Sequence, residues 1–75
     1  MASKQEMLER VSKAWTHARG REQDEEREET AARDRGDAAA AAQHRERARY
    51  WYGYRVACEH VMEACRGRRA TKPKR

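Results

Sequence analysis

The sequence has little that would interrupt a helix and little that would build a large core. Its only proline is Pro73, so no missing amide donor or ring clash forbids helix in residues 1–72. Phe, Ile and Asn are absent, and hydrophobic residues make up 37% of the chain against 41% charged residues. A chain of 75 residues buries too little surface to be comfortably stable without a partner, a metal or a disulfide.

Long apolar runs are also missing. No run approaches the roughly 20 residues that span a bilayer, and the N-terminal MASKQEMLERV has no apolar signal-peptide core. We therefore expect a cytoplasmic protein with no membrane partner. In that compartment Cys58 and Cys65 are expected to be thiols, and seven helical positions would place their Cα atoms about 10 Å apart, beyond the reach of a disulfide.

Motifs for catalysis and for metal binding are lacking. The three histidines and two cysteines show no CxxC, HExxH or ExxH spacing. Four glutamates of segment 22–29 share one helical face, but a di-metal bundle would also need ExxH units and carboxylates from several helices. The four glutamates are Glu22, Glu25, Glu26 and Glu29. We expect no catalytic residues, no cofactor and no metal, and we interpret the acidic face as solvated or paired with arginine.

The first helix is predicted to start at a capping box formed by Ser3 and Glu6. Leu8, Val11 and Trp15 then follow at helical spacing and form an apolar stripe that ends at Ala18. Beyond Ala18 the same face becomes acidic. Gly20 lies at this change and leaves two alternatives, a continuous but weakened helix, which we favour, or a C-cap that closes a shorter helix.

The clearest break is RDRGD at 33–37, where Gly36 is placed to take a positive φ and Asp37 to cap the next helix. The second helix should extend to about Arg66, with Gly67 ending it. These signals predict a helical hairpin over 1–67, with helix 1 at about 3–34 and helix 2 at about 37–66. Residues 68–75 form a basic tail.

The second helix has an apolar arc that is wider than a coiled-coil seam. On a helical wheel the arc covers about 160°, and one partner helix cannot cover it. An exposed apolar strip of this kind marks an interface. Its members are Tyr50, Trp51, Tyr54, Ala57, Cys58, Val61, Met62, Ala64 and Cys65.

An antiparallel hairpin sets position i opposite roughly 73 − i, which places Trp15 beside Cys58. The acidic segment 22–29 then faces QHRERAR, where Arg45, Arg47 and Arg49 are positioned to pair with it. The fold class is therefore all-α, a hairpin of two long helices completed by self-association into a homodimer or larger helical bundle. The predicted core and self-association residues are Leu8, Val11, Trp15, Trp51, Tyr54, Cys58, Val61, Met62 and Cys65.

Tyr52 falls on the charged side of the second helix, with Val56 four residues later and Arg49 nearby. Packing into the core does not explain why Tyr52 and Val56 lie on the charged side of the helix. We predict that Arg49, Tyr52 and Val56 contact a different protein.

Nucleic-acid binding is the alternative function. Residues 66–75 carry six positive charges and no negative ones, which favours binding to phosphate backbones without sequence preference. Membrane-surface binding is disfavoured, because Glu59 and Glu63 lie on the polar face of the second helix. The residues of the nucleic-acid alternative are Arg66, Arg68, Arg69, Lys72, Lys74 and Arg75.

The segment YWYGYRVACEHVMEA at 50–64 resembles the aromatic-Gly-aromatic helical segments of small accessory proteins of bacteriophages that infect high-GC bacteria. It covers about a fifth of the chain. The many Ala and Arg residues are also typical of coding DNA rich in G and C. The resemblance implies a host-directed protein in the bacterial cytoplasm that binds and blocks another macromolecule, such as an inhibitor or accessory factor.

Overall fold

A computed structural model describes residues 3–66 as two antiparallel helices, α1 (Lys4–Asp34) and α2 (Ala38–Arg66). The predicted all-α hairpin is therefore confirmed. Neither helix is long and apolar enough to cross a membrane. Arg66 is the last residue of α2, and the predictions for Gly67 and for the basic tail at 68–75 lie outside the described residues.

α1 begins at the predicted capping box. The Ser3 Oγ accepts a hydrogen bond from the Glu6 amide at 3.1 Å, and the Ser3 amide donates to Glu6 Oε1 at 3.0 Å. Such a cap stabilises a helix by about 1 kcal/mol. The helix then passes through Gly20 without a break, so the continuous helix is the correct alternative.

The turn between the helices is a Schellman motif centred on Gly36, which has φ +80° as predicted. The Gly36 amide donates to the Arg33 carbonyl at 3.0 Å, and the Asp37 amide donates to the Ala32 carbonyl at 2.8 Å. Asp37 Oδ1 then accepts the Ala40 amide at 3.0 Å and caps α2. The carbonyls of Ala32 and Arg33 in α1 and the Ala40 amide in α2 thus find partners within the three-residue connection 35–37.

The helices meet along a heptad seam of the coiled-coil type. Every residue of this seam is buried or half-buried. On α1 the seam consists of Leu8, Val11, Trp15, Ala18, Glu22, Glu25, Glu29 and Ala32. On α2 it consists of Ala41, His44, Ala48, Trp51, Arg55, Cys58, Met62 and Cys65.

The contacts across this heptad seam reproduce the predicted register to within one residue. The Trp15 indole Nε1 donates to Glu59 Oε2 at 2.8 Å. Cys58 was the predicted neighbour of Trp15, so the observed contact differs from the predicted register by one residue. Ser12 Oγ lies 3.7 Å from Met62 Sδ near the open end. Register was therefore predictable from the pattern of charged and apolar segments.

α1 covers only one flank of the apolar arc of α2. The helical wheel placed Tyr50, Trp51 and Tyr54 together in that arc, which was expected to be too wide for one partner helix. In the structure Trp51 is half-buried, whereas Tyr50 is 62% exposed and Tyr54 43% exposed. The seam is centred near Arg55, which lies about 140° from Tyr50 at 100° per residue. The seam therefore includes one flank of the apolar arc and leaves the other flank uncovered.

The core of the hairpin is thin. Its buried apolar residues are small, and within residues 3–66 no large side chain is fully buried. Those residues are Ala18, Ala32, Ala41, Ala48 and Cys58. The larger seam side chains Leu8, Val11, Trp15 and Met62 are only half-buried. The apolar contacts that would hold a larger domain together are therefore few.

Candidate functional site

The middle of the heptad seam is an ionic network centred on Arg55. Its Nε donates to Glu22 Oε1 at 2.7 Å, and its Nη1 donates to Glu59 Oε2 at 2.8 Å. Arg19 Nη1 adds a second donor to Glu22 Oε1 at 3.2 Å, and Trp15 donates to the same oxygen of Glu59 that Arg55 reaches. The network joins α1 to α2 at heptad positions that apolar core residues would normally occupy.

Burial and hydrogen bonding act against each other on Glu22, which is only 5% exposed. Burial raises the pKa of its carboxyl group, but the hydrogen bonds and charges of Arg55 and Arg19 outweigh burial, so the pKa lies below its usual value. The hydrogen bond to Glu22 in turn raises the pKa of Arg55. The Trp15 hydrogen bond, followed by Arg55, lowers the pKa of Glu59.

Towards the turn the seam continues through two further pairs. His44 Nδ1 lies 2.7 Å from Glu25 Oε1, and because a carboxylate can only accept, Nδ1 is the donor. Arg45 Nε donates to Glu29 Oε2 at 3.2 Å. Glu25 is buried, so at this position the acidic segment lies within the heptad seam and is not solvated.

The predicted arginine partners are only partly right. Arg45 pairs with the acidic segment, whereas Arg47 and Arg49 form no ion pair within residues 3–66. The residues that take their place are His44 and Arg55. Arg47 and Arg49 lie about 80° and 120° around α2 from Arg55, on opposite sides of the seam.

One side of α2 carries an exposed apolar surface, which we call the tyrosine face: Tyr50, Tyr54, Ala57, Val61 and Ala64. All five residues are exposed. Tyr50 and Tyr54 belong to one aromatic cluster with Trp51, whose ring centroid lies 5.0 Å from that of Tyr50 and 5.7 Å from that of Tyr54. Trp51 is half-buried beneath Arg21 and His17, with the Arg21 guanidinium 5.7 Å from its ring centroid.

The tyrosine face continues into an open groove of about 340 Å³ between the two helices. The groove is lined by Arg10, Val11, Ala14, Tyr54, Ala57, Cys58 and Val61. Among these Arg10 is the one charged residue. Such a contiguous apolar surface on a small protein is typical of a protein-interaction site.

The predicted partner residues lie on the opposite flank of α2, and we call Arg49, Tyr52 and Val56 the Tyr52 patch. Tyr52 is 53% exposed, and its ring packs against the Arg55 guanidinium, 5.2 Å from the ring centroid. Arg49 is exposed and Val56 is half-buried. Tyr52 is therefore less exposed than Tyr50, and exposure does not single it out among the tyrosines.

Comparison with protein-family models, curated proteins and solved structures found no match to this chain. Within residues 3–66 no three His, Cys, Asp or Glu side chains form a group that could hold a metal ion. Function is therefore inferred from the contacts, burial and charge of the hairpin itself.

The lowered pKa of Glu22 predicts an acid-sensitive seam. A carboxyl group whose pKa is depressed on folding contributes stability above its unfolded value of about 4.5 and loses it as the pH falls through the folded value. At neutral pH, Glu22→Gln should lower the free energy of unfolding by about 1.5 to 3 kcal/mol, because a buried charged hydrogen bond is lost. Below the folded pKa of Glu22 the variant and the wild type should converge. Urea titrations across the acid range measure both quantities.

The control for this experiment is Glu26→Gln, because Glu26 lies on the same helix but is exposed. Its stability should follow that of the wild type at every pH. Equal losses for Glu22→Gln and Glu26→Gln would contradict a specific role of the buried carboxylate.

Proposed function

We propose that this chain is a non-enzymatic interaction protein of the cytoplasm that acts by binding protein surfaces, with the tyrosine face as its main contact site. The observation that supports this is the exposure of Tyr50, Tyr54 and Val61 on one contiguous apolar surface. Complete burial of an exposed apolar side chain is worth about 1.5 to 3 kcal/mol, and covering these half-exposed side chains supplies part of that for each. Because few large side chains are buried within the hairpin, the free energy gained by covering the tyrosine face is large relative to the stability of the hairpin itself.

The proposal includes self-association through the tyrosine face. A hairpin with one uncovered apolar side becomes a helical bundle when it pairs with another hairpin. Tyr50 and Tyr54 are suited to such a contact, since aromatic side chains dominate the binding energy of interfaces.

A different protein is the proposed partner of the Tyr52 patch. Arg49 and Tyr52 line a groove of about 250 Å³ together with Glu26 and Glu29. Its mixture of one aromatic ring and charges of both signs is typical of the rim of an interface. The resemblance of residues 50–64 to phage accessory proteins agrees with this role, since those proteins act by binding another macromolecule.

The proposal predicts different effects for tyrosines on the two flanks of α2. Tyr50→Ser with Tyr54→Ser should raise the dissociation constant of the self-associated form about thirtyfold or more, since truncating a central aromatic anchor costs about 2 kcal/mol or more. Helix content at low concentration should stay unchanged, because both side chains are exposed in the hairpin. Sedimentation velocity and circular dichroism measure the two effects.

Tyr52→Ser is the matched control, since it removes the same side chain at comparable exposure from the opposite flank. Its oligomer mass should equal that of the wild type, while capture of a heterologous protein from a high-GC bacterial lysate should weaken. Equal loss of self-association from both flanks would count against the tyrosine face.

Nucleic-acid binding remains the second candidate, and the observation that favours it is the distribution of charge. Residues 67–75 contain five of the 18 Lys and Arg residues, and the other 13 equal the 13 Asp and Glu residues in number. The entire net charge of +5 therefore lies in the last nine residues. Phosphate contacts from this segment would give binding without sequence preference.

This second candidate predicts affinity for arbitrary duplex DNA that falls with salt and disappears when residues 67–75 are deleted. With five phosphate contacts, the affinity should fall by two to three orders of magnitude, about 500-fold, between 50 and 200 mM salt. Fluorescence anisotropy at these two salt concentrations measures the slope. DNA binding that survives the deletion would rule out the basic segment as its cause.

A further inference from the structure

The tyrosine face has a heptad repeat of its own. Its five residues, from Tyr50 to Ala64, follow one another at 4-3-4-3 spacing. This is the repeat that packs against another helix in a coiled coil. α2 therefore carries two seams, and within residues 3–66 α1 covers only one of them.

We propose that α2 of a second copy of this chain, running antiparallel, occupies the second seam. The proposal rests on the self-association proposed above and adds which helix of the second copy meets the tyrosine face, in which direction and in which register. A two-fold axis would pass between Tyr54 and Ala57, so that each copy presents the same residues to the other.

Charge balance favours a second copy as the occupant. Residues 3–66 carry 13 positive and 13 negative side chains, so the hairpins themselves have no net charge, and the +5 of each chain lies in residues 67–75 outside the tyrosine face. The face itself is uncharged, and the groove beside it contributes only Arg10. A strongly acidic or basic partner would find no complementary charge on the tyrosine face.

The available apolar area is that of a small dimer interface. A tyrosine side chain offers about 150 to 250 Å² for burial, so the exposed fractions of Tyr50 and Tyr54 together present roughly 160 to 260 Å². Val61 adds to this, as does Met7, which is 44% exposed and lies seven positions before Ala14 on the groove side of α1. With the alanines and the groove walls the surface reaches several hundred Å², the size of the largest apolar patch on a typical monomer and below the roughly 800 Å² per partner of a standard interface.

Charge also sets the direction of the second helix. In a parallel pair the two basic segments that follow Arg66 would lie side by side. In the antiparallel pair their starting points lie about 30 Å apart at 1.5 Å per residue, a separation well beyond the roughly 8 Å Debye length at physiological salt. The helix macrodipoles also oppose each other favourably only in the antiparallel pair.

The register follows from covering both tyrosines at once. With the axis between Tyr54 and Ala57, each Tyr54 ring packs on Ala57 of the second copy, and each Tyr50 packs on Val61. In each of these two pairs, a large tyrosine side chain of one copy thus packs on a smaller side chain of the other. A shift by one heptad in one direction would leave Tyr50 beyond the end of the opposite tyrosine face, and a shift in the other direction would set Tyr50 against the equally large Tyr54.

The test uses charges at Ala57, an exposed helical position, and helix content measured by circular dichroism should show that each variant keeps the hairpin. Ala57→Glu and Ala57→Lys should each weaken the wild-type dimer about a hundredfold or more, because like charges meet near the axis. An equimolar mixture of the two variants should regain a dimer. Ala42→Glu, an exposed alanine outside the overlapping segment, should leave the dimer unchanged. Sedimentation velocity measures the mass in each case.

The direction is tested by mixing Tyr50→Lys with Val61→Glu, which pair across the axis only in the antiparallel arrangement. A restored dimer supports this direction, and a monomeric mixture overturns it. A wild-type chain that stays monomeric at high micromolar concentration overturns the second copy as occupant and leaves heterologous protein binding in place. A dimer that tolerates both Ala57→Glu and Ala57→Lys overturns the tyrosine face as the site of pairing.

Discussion

The ion pair between Arg55 and Glu22 is the contact on which the arrangement of the hairpin depends. Glu22 occupies a seam position that a hydrophobic residue would normally fill, and it is almost completely buried. A buried carboxylate without a partner would cost several kcal/mol. Arg19 reaches Glu22 from the same helix, and α2 turns Arg55 towards α1 to supply the shorter hydrogen bond across the seam, with Glu59 and Trp15 completing the network.

This rotation decides which side chains remain available to a partner. When Arg55 faces α1, Trp51 and Cys58 enter the heptad seam, while Tyr50 and Tyr54 turn away from it. The core then consists largely of alanines, and the tyrosine face stays uncovered within residues 3–66. One ionic network thus accounts for both the thin core and the tyrosine face.

Much of the fold was predictable because its signals are local. Ser3 and Gly36 act through hydrogen bonds and backbone angles that short motifs specify, and the acidic and basic segments predict the register. The rotation of α2 was not predictable from apolarity, since the seam includes the charged Arg55 and the polar His44. A useful signal was present, because Glu22 and Glu25 continue the heptad positions of the apolar stripe on α1 and require cationic partners opposite them.

The most direct test of this account is a double-mutant cycle of Glu22→Gln and Arg55→Gln. The free energies of unfolding of the four proteins, measured at one protein concentration in urea, give the coupling between the two side chains. The account predicts a coupling of about 1 to 3 kcal/mol, as for contacting residues in one network. Additive losses, with a coupling near zero, would contradict the claim that this pair fixes the rotation of α2.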